Sequence, residues 1–487
     1  MLNYLPLTAV GMPLIGAPIV YFLPQRNRLL RNSITLGITL FSFVSVLLML
    51  PAIEAGIVIE KRLKYLMAPM GLTFRVDELD LFLALITCFL WVVVTIYSFV
   101  YMENKHYQSR FYAAFLVALS GCLGVALTGG LLSLFIFFEL ASLVPYILIV
   151  HSETKEAVEA SNKYLFMCLL GSLSLFFGIS MTYYYLGTVD LKELQLLNRA
   201  STLPWPIFAA FFIGFGIKSG LFPLHIWLPD AHPIAPSPIS SLLSGITIKV
   251  GIYGIIRLVY NIYHFDVFNQ VGWGTFLRIT AAITIMFGSG VALSQKNLKR
   301  LLAYSSISQI GYVLLGITLL NERALFGAIF HIFSHAFMKG TLFLCAGAIK
   351  HKTGKTNIDE MKGIGREMPL TMMCFTIASL AMIGIPPLNG FISKWYLGLG
   401  SLDADMPFYL IILLISSLLN GVYFLPIIIN AFFDKQEETA GIKLKFNEVP
   451  VSMMGPMMVL TFGIVVGGIY EHTLIKLART AAKLLFS

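Results

Sequence analysis

Stretches of about twenty apolar residues recur from one end of the chain to the other, each long enough to cross a lipid hydrocarbon core as a helix rising ~1.5 Å per residue. Lipid offers the backbone no hydrogen-bond partner, so such a run closes its own bonds as a helix. The short alternating segments of a lipid-facing barrel do not occur. With 57% hydrophobic and 12% charged residues, the chain carries about half the charge of an ordinary soluble domain. The fold class these features predict is an all-α integral membrane protein of about fourteen transmembrane helices. The spans fall near 4–24, 29–50, 79–101, 111–128, 130–150, 162–186, 205–222, 237–262, 274–294, 298–320, 323–349, 370–397, 406–433 and 450–471. The first has no basic residue before Arg26 and no small-residue cleavage site, so it is expected to be a retained helix rather than a signal peptide.

The net charge of +9 does not point to nucleic acid, because the basic residues lie in short loops between apolar runs. They follow membrane topology instead. An even number of crossings places both termini on one side. If that side is outside, the inner loops hold Arg26, Arg28 and Arg31, then Lys296, Lys299 and Arg300, then Lys350, Lys352, Lys355, Lys362 and Arg366. Lys61, Arg62 and Lys64 in the 51–78 loop oppose this majority. The expected location is therefore the cell membrane, multi-pass, with both termini outside the cytoplasm. Cys88, Cys122, Cys168, Cys345 and Cys374 sit singly in apolar stretches, without the spacing of a zinc or iron–sulfur site. No cofactor and no metal is expected.

Two spans are interrupted by proline. One runs into Phe222-Pro223, Pro229, Pro233 and Pro236, the other into Ile385-Pro386-Pro387 and Gly390. The carbonyls and N–H groups freed at such breaks must be buried in protein or face an internal water cavity. The broken spans are the seventh and twelfth, five apart. Two inverted five-helix repeats, starting at the fourth and ninth spans, would put the breaks in corresponding positions, as in transporters built from repeats. This divides the chain into helices one to three (1–110), a first repeat (111–262), a second repeat (274–433) and a last helix with a short tail (450–487). The same pairing sets Lys218 against Lys394, each beside its break.

Ionisable side chains lie well inside the apolar spans: Glu139, Lys218, Lys249, His331, His335, Lys339 and Lys394. Each costs at least ~2.5–3.5 kcal/mol at a helix centre. Keeping seven argues for use. Burial alone would neutralise Glu139, whereas a nearby lysine would keep it ionised, so Glu139 and Lys218 suggest a pair whose separation releases a proton. A static ion pair is the structural alternative. Lys249, about a dozen residues from each end of its span, would receive that proton. His331, His335 and Lys339 are four apart and share one helix face, where imidazoles relay protons through a polar stripe. Two histidines could bind metal, but no third ligand of suitable spacing accompanies them. Lys394 is expected nearest the outer exit, with snorkelling beside Trp395 as the alternative. His225, Asp230 and His232 lie in the first break, where they would either wet the cavity or cap the new helix.

Together these residues resemble a known family: the antiporter-like membrane subunits shared by respiratory complex I, energy-converting membrane hydrogenases and Mrp-type sodium/proton antiporters. The resemblance runs from about residue 75 to about residue 430. It rests on Phe138-Glu139-Leu140, on Lys218 to His225 with Trp227 to His232, on Lys299 to Ser306, on the His331–His335–Lys339 helix and on Gly390 to Lys394. It implies the fourteen-helix fold, a proton path through Glu139, Lys218, Lys249, the histidines and Lys394, and assembly beside sister antiporter-like and small membrane subunits. Lys394 resembles the D-type antiporter and hydrogenase pattern, while the stretch from Trp227 to His232 is more similar to complex I and hydrogenase members. The expectation is a proton-translocating, or sodium/proton-translocating, subunit of a hydrogenase-like or Mrp-like complex, with a complex I-type pump as alternative. A stand-alone solute carrier is disfavoured because the charges are strung over many spans, and a redox enzyme because ligands for a redox centre are missing.

Overall fold

A computed structural model describes residues 2–24, 27–63, 71–197, 204–263, 265, 268, 272–433, 447–470 and 473–486. Arg26 and Lys64, counted above among loop charges, lie outside these. Twelve helices among the described residues are long and apolar enough to cross a membrane. In chain order the helices of the membrane body are α1 (Leu5–Phe22), α2 (Arg28–Leu47), α3 (Glu78–Tyr101), α4 (Gln108–Leu127), α5 (Leu131–Leu143) and α6 (Lys155–Leu186). The first broken span is α7 (Trp205–Ser219) and the short α8 (Leu228–Ile234), followed by α9 (Ser237–Ile262). Then come α10 (Trp273–Ala292), α11 (Leu298–Thr318) and α12 (Glu322–Thr353). The second broken span is α13 (Pro369–Ile383) and α14 (Asn389–Asp403), before α15 (Pro407–Phe433) and α16 (Val451–Ile469). The chain is an all-helical membrane protein, as the apolar runs predict.

Two elements escaped the sequence reading. The 51–78 loop carries an antiparallel hairpin, β1 (Ile59–Leu63) on β2 (Leu72–Val76), with Ile59 opposite Val76. Behind the last span lies an amphipathic helix, α17 (Thr473–Leu485), which buries Ile475, Leu477, Ala478 and Ala482. Its period of apolar residues is helical, but with Lys476, Arg479 and Lys483 on the other face it is no membrane span.

Both breaks are built alike. α7 and α13 are each 15 residues long and each ends on a left-handed glycine, Gly220 at φ 74° and Gly384 at φ 96°. Only glycine takes that conformation without steric cost, so the helix stops there. α6 and α12 are each 32 residues long, start under a side-chain cap from Thr154 or Asn321, and end on left-handed Gly187 or Gly354. α9 contains wide π turns at Leu243–Thr247 and Leu258–Ile262.

The centre of the molecule is α9, buried along its length, and α12, buried from Ala324 to Ile349. Glycines set the approach of their neighbours. A Cβ on Gly251 of α9 would stand 2.6 Å from the Phe215 carbonyl of α7, and one on Gly214 of α7 would stand 2.8 Å from the Gly171 carbonyl of α6. Such contacts bring the backbones of lysine-bearing helices together. At one end of the bundle Arg257 pairs with Asp77 at 2.7 Å and with Asp80, and Tyr253 donates to Asp80 at 2.7 Å. Burial works to raise the Asp77 carboxyl, but Arg257 and the Asp80 N–H outweigh it and hold it below the usual carboxylate range.

Candidate functional site

Lys218 stands in the last turn of α7, 1% exposed, with no carboxylate among the described residues on its amine. Nζ donates to the Ala141 carbonyl at 2.6 Å and to the Tyr164 hydroxyl at 3.2 Å, 5.7 Å from the centre of the Tyr164 ring. Tyr164 in turn donates to the Ser142 carbonyl at 2.5 Å and packs edge-on against Trp227. Glu139 lies one turn along α5, half-buried, in electrostatic reach of Lys218 and beside Ser172, but no ion pair among the described residues joins it to Lys218. Its Oε1 is buried without a hydrogen-bond partner. The two residues expected as a pair are therefore neighbours held apart, and the tyrosine between α6 and α7 takes the bond the carboxylate was expected to make.

Lys249 is fully buried in α9, and its amine donates to the Ser244 carbonyl in the π turn five residues back. The wider turn leaves carbonyls in reach of side chains, as happens at functional sites. The hydroxyl of the same Ser244 bonds Ser306 of α11 at 2.8 Å. Beside it, Lys339 of α12 donates to Ser305 and to the Leu302 carbonyl at 2.9 Å. Adjacent serines of α11 thus bond Ser244, whose carbonyl holds Lys249, and the amine of Lys339. No hydrogen bond among the described residues bridges Lys218 to Lys249; the two helices meet at Gly251 instead.

His331 and His335 lie on the α12 face with Lys339, as their spacing predicts. Their rings are parallel within 7° at 6.0 Å, and His331 stacks on Tyr312 of α11 at 5.6 Å. His331 Nδ1 is 2.8 Å from the Ser393 hydroxyl, which adjoins Lys394 on α14. Lys394 is only partly buried and turns back over the break: Nζ donates to the Met382 and Ile383 carbonyls, at 2.7 and 3.1 Å, and to Ser417 at 3.0 Å. It satisfies carbonyls that the end of α13 leaves open, so it is not snorkelling to the headgroups. His331 Nε2, both nitrogens of His335 and the side-chain amides of Gln309 and Asn389 are buried without partners. Buried polar atoms normally bond protein or water.

The residues of the first break divide. Asp230, expected to cap a helix or wet the cavity, bridges Lys163 of α6 at 2.7 Å and Arg300 of α11 at 3.3 Å, partly exposed; α8 has no side-chain cap. His225 packs between Phe222 and Phe287. His232 is fully buried on the Phe343 ring, both nitrogens without a partner. Lys299, counted from sequence as a loop charge, is 6% exposed in the first turn of α11 and donates to the Ala235 carbonyl at 2.7 Å and to Ser240 at 3.4 Å. It sits within electrostatic range of His232. Arg31, likewise read as a loop charge, is 3% exposed. Position at the edge of an apolar run looks the same in sequence whether the side chain turns outward or inward. The serines, Tyr164 and Tyr312 were missed because hydroxyl residues are common in membrane helices and only the fold aligns these with the amines.

A polytopic helical protein with two broken spans and a buried row of amines and imidazoles is, as a class, built like an ion-handling membrane protein. The family model described as NADH:quinone oxidoreductase/Mrp antiporter, TM, matches residues 128–420, and the chain belongs to this family. The N subunit of NADH-quinone oxidoreductase from Desulforudis audaxviator is 36% identical over 84% of this chain and 84% of its own length. A D-type Na(+)/H(+) antiporter subunit from Alkalihalophilus pseudofirmus is 30% identical over 97% of this chain and 96% of its own. Among solved structures, a chain of the Mrp complex from Dietzia sp. DQ12-45-1b shares the fold, with a TM-score of 0.90 over 100% of this chain and 98% of that chain at 23% identity.

Proposed function

We propose that the chain carries protons along Glu139, Lys218, Lys249, Lys339, His335, His331 and Lys394, as an antiporter-like subunit of a multisubunit membrane complex. The observation that carries this reading is the bonding of the lysines: Lys218, Lys249 and Lys339 are at most 1% exposed, Lys218 and Lys339 are each held by a carbonyl and a hydroxyl and Lys249 by a carbonyl, and no carboxylate among the described residues is bound to any of them. A permanently paired lysine has little reason to lose its proton, whereas one held by neutral acceptors in a dry interior is poised between the two states. A charge moved nearby then decides which state wins. Glu139, close to Lys218 but not bonded to it, is the group whose approach would load the lysine and whose withdrawal would unload it. Ser306 bonds the hydroxyl of Ser244, Ser305 holds Lys339 and Ser393 bonds His331, and water beside the unpartnered histidine and amide atoms would complete the relay between these groups.

The helix lengths support two inverted repeats. Spans of 20, 22 and 32 residues precede the first break, and spans of 20, 21 and 32 precede the second. Five crossings per unit return the chain to the opposite face, so a repeated unit is necessarily inverted. With the two broken spans the crossings number fourteen, and both termini share a side. Sister subunits are part of the proposal because a half-buried carboxylate such as Glu139 is costly against lipid and calls for a polar neighbour. The similarity to an Mrp antiporter subunit and to a quinone oxidoreductase subunit fits either setting, and sodium movement belongs to the same question. The test is Lys218→Ala in the assembled complex, reconstituted in vesicles. Proton transport should fall to background with assembly intact; undiminished transport refutes the relay.

A further inference from the structure

At the end of the bundle where α2 begins and α3 ends, a cavity of about 460 Å³ opens between the first turn of α2 and the loop into α4. Arg28, Arg31, Glu103, Lys105, His106 and Gln108 line it. Arg31 sits at its floor, 3% exposed, and no carboxylate among the described residues neutralises its guanidinium: Nη2 donates to the side-chain oxygens of Gln108 at 2.6 Å and Asn32 at 3.1 Å, and Nε to Asn32 at 3.3 Å. Nη1 has no partner among the described residues. Glu103, the carboxylate of the lining, is drawn to Arg28 at 3.5 Å, with both side chains more than half exposed. Arg28 is near enough to Arg31 to repel it.

The Tyr112 ring, 5.1 Å from the Arg31 guanidinium, and the Arg28–Glu103 pair offset part of this charge, but the cluster keeps more cations than carboxylates. Two arginines stand in the first turn of a helix, where the positive end of the backbone dipole disfavours cations. That end also lacks a side-chain cap, since Asn27 makes no capping bond, which leaves its first N–H groups without a side-chain acceptor from Asn27. The preference for basic residues in membrane loops explains exposed lysines and arginines, but it gives no reason to bury a guanidinium on amide oxygens. Leu29 and Leu30, in the same turn, are 85% and 47% exposed, which sets an apolar surface beside the charged cavity.

We propose that this cavity binds a phosphate group, and that its source is the headgroup of an anionic phospholipid whose acyl chains lie over Leu29 and Leu30. Arg31 Nη1 and Arg28 supply planar, charge-assisted donors for the phosphate oxygens, with Lys105 and His106 on the rim. The site is separate from the lysine line and does not depend on its role.

The test is native mass spectrometry of the protein in its native assembly, stripped with detergent and offered phosphatidylglycerol, diacylglycerol with the same chains, or millimolar inorganic phosphate. Wild type should retain phosphatidylglycerol and not diacylglycerol. Retention should weaken about tenfold or more in Arg31→Gln and in the double variant Arg28→Gln/Lys105→Gln, the loss expected for one or two charge-assisted bonds. If Arg31→Gln fails to assemble, the double variant, altered only at the surface, decides. Inorganic phosphate that binds alone and displaces the lipid would keep the phosphate site but overturn the lipid as its source. Equal lipid retention by wild type and the double variant would overturn the site.

Discussion

Replacing Tyr164 by phenylalanine removes one oxygen and leaves the ring. The aromatic contact with Trp227, at 4.9 Å between centroids, and the position of the ring beside Lys218 Nζ, at 5.7 Å, are both retained. What is lost is the acceptor at 3.2 Å from Nζ, leaving the Ala141 carbonyl as the remaining bonded oxygen. A hydrogen bond to a charged group contributes about 1.5–3 kcal/mol, so the protonated amine becomes harder to form by a factor of roughly 10–150. The neutral amine loses far less. If loading of Lys218 limits the cycle, proton transport by the reconstituted complex falls by about that factor. The hydroxyl also donates to the Ser142 carbonyl at 2.5 Å, so thermal stability in detergent should drop by about 1 kcal/mol. Transport is measured with a pH-sensitive dye inside vesicles, and assembly by size-exclusion chromatography of the same preparation. A correctly assembled Tyr164→Phe complex that pumps at the wild-type rate would refute the view that neutral acceptors on Lys218 set its proton affinity.

Two further outcomes follow from packing and from the charges at the end of α9. Gly251→Ala places a methyl 2.6 Å from the Phe215 carbonyl and 2.7 Å from the Ser219 nitrogen, which should cost about 1–3 kcal/mol by thermal unfolding. By prying α7 from α9 it should also slow transport, and unaltered stability would show that the helices are not in contact there. Arg257→Gln leaves Asp80, 2% exposed, buried without its cation, with an expected loss of about 3–5 kcal/mol. Arg257→Lys should recover part of that loss, and equal unfolding midpoints for all three proteins would contradict a buried ion pair.

Much of the candidate line is legible from residue type alone, because lysine and histidine inside an apolar run carry a free-energy cost that few structural uses offset. The helical repeat then places His331, His335 and Lys339 on one face before any fold is known. Serine and tyrosine carry no such cost, so Ser305, Ser306 and Ser393, though inside motifs that carry the resemblance, and Tyr164 gave no signal of a role of their own. Their meaning comes from helices that are distant in sequence. Lys299 and Arg31 show the converse failure: at the margin of an apolar run, hydropathy does not distinguish a side chain that leaves the membrane from one that enters the bundle.

The sequence by itself determined the solvent, the helical class, the two breaks and the seven ionisable residues of the candidate line, since each follows from the price of placing polar groups in hydrocarbon. Only the tertiary structure decided what each charge touches. Whether an amine meets a carboxylate, a carbonyl or a hydroxyl depends on which helices the glycines at 214 and 251 allow to approach and on where the breaks at Gly220 and Gly384 turn the chain. A hydrogen bond is settled within a few tenths of an ångström, a scale that residue spacing along one helix does not reach.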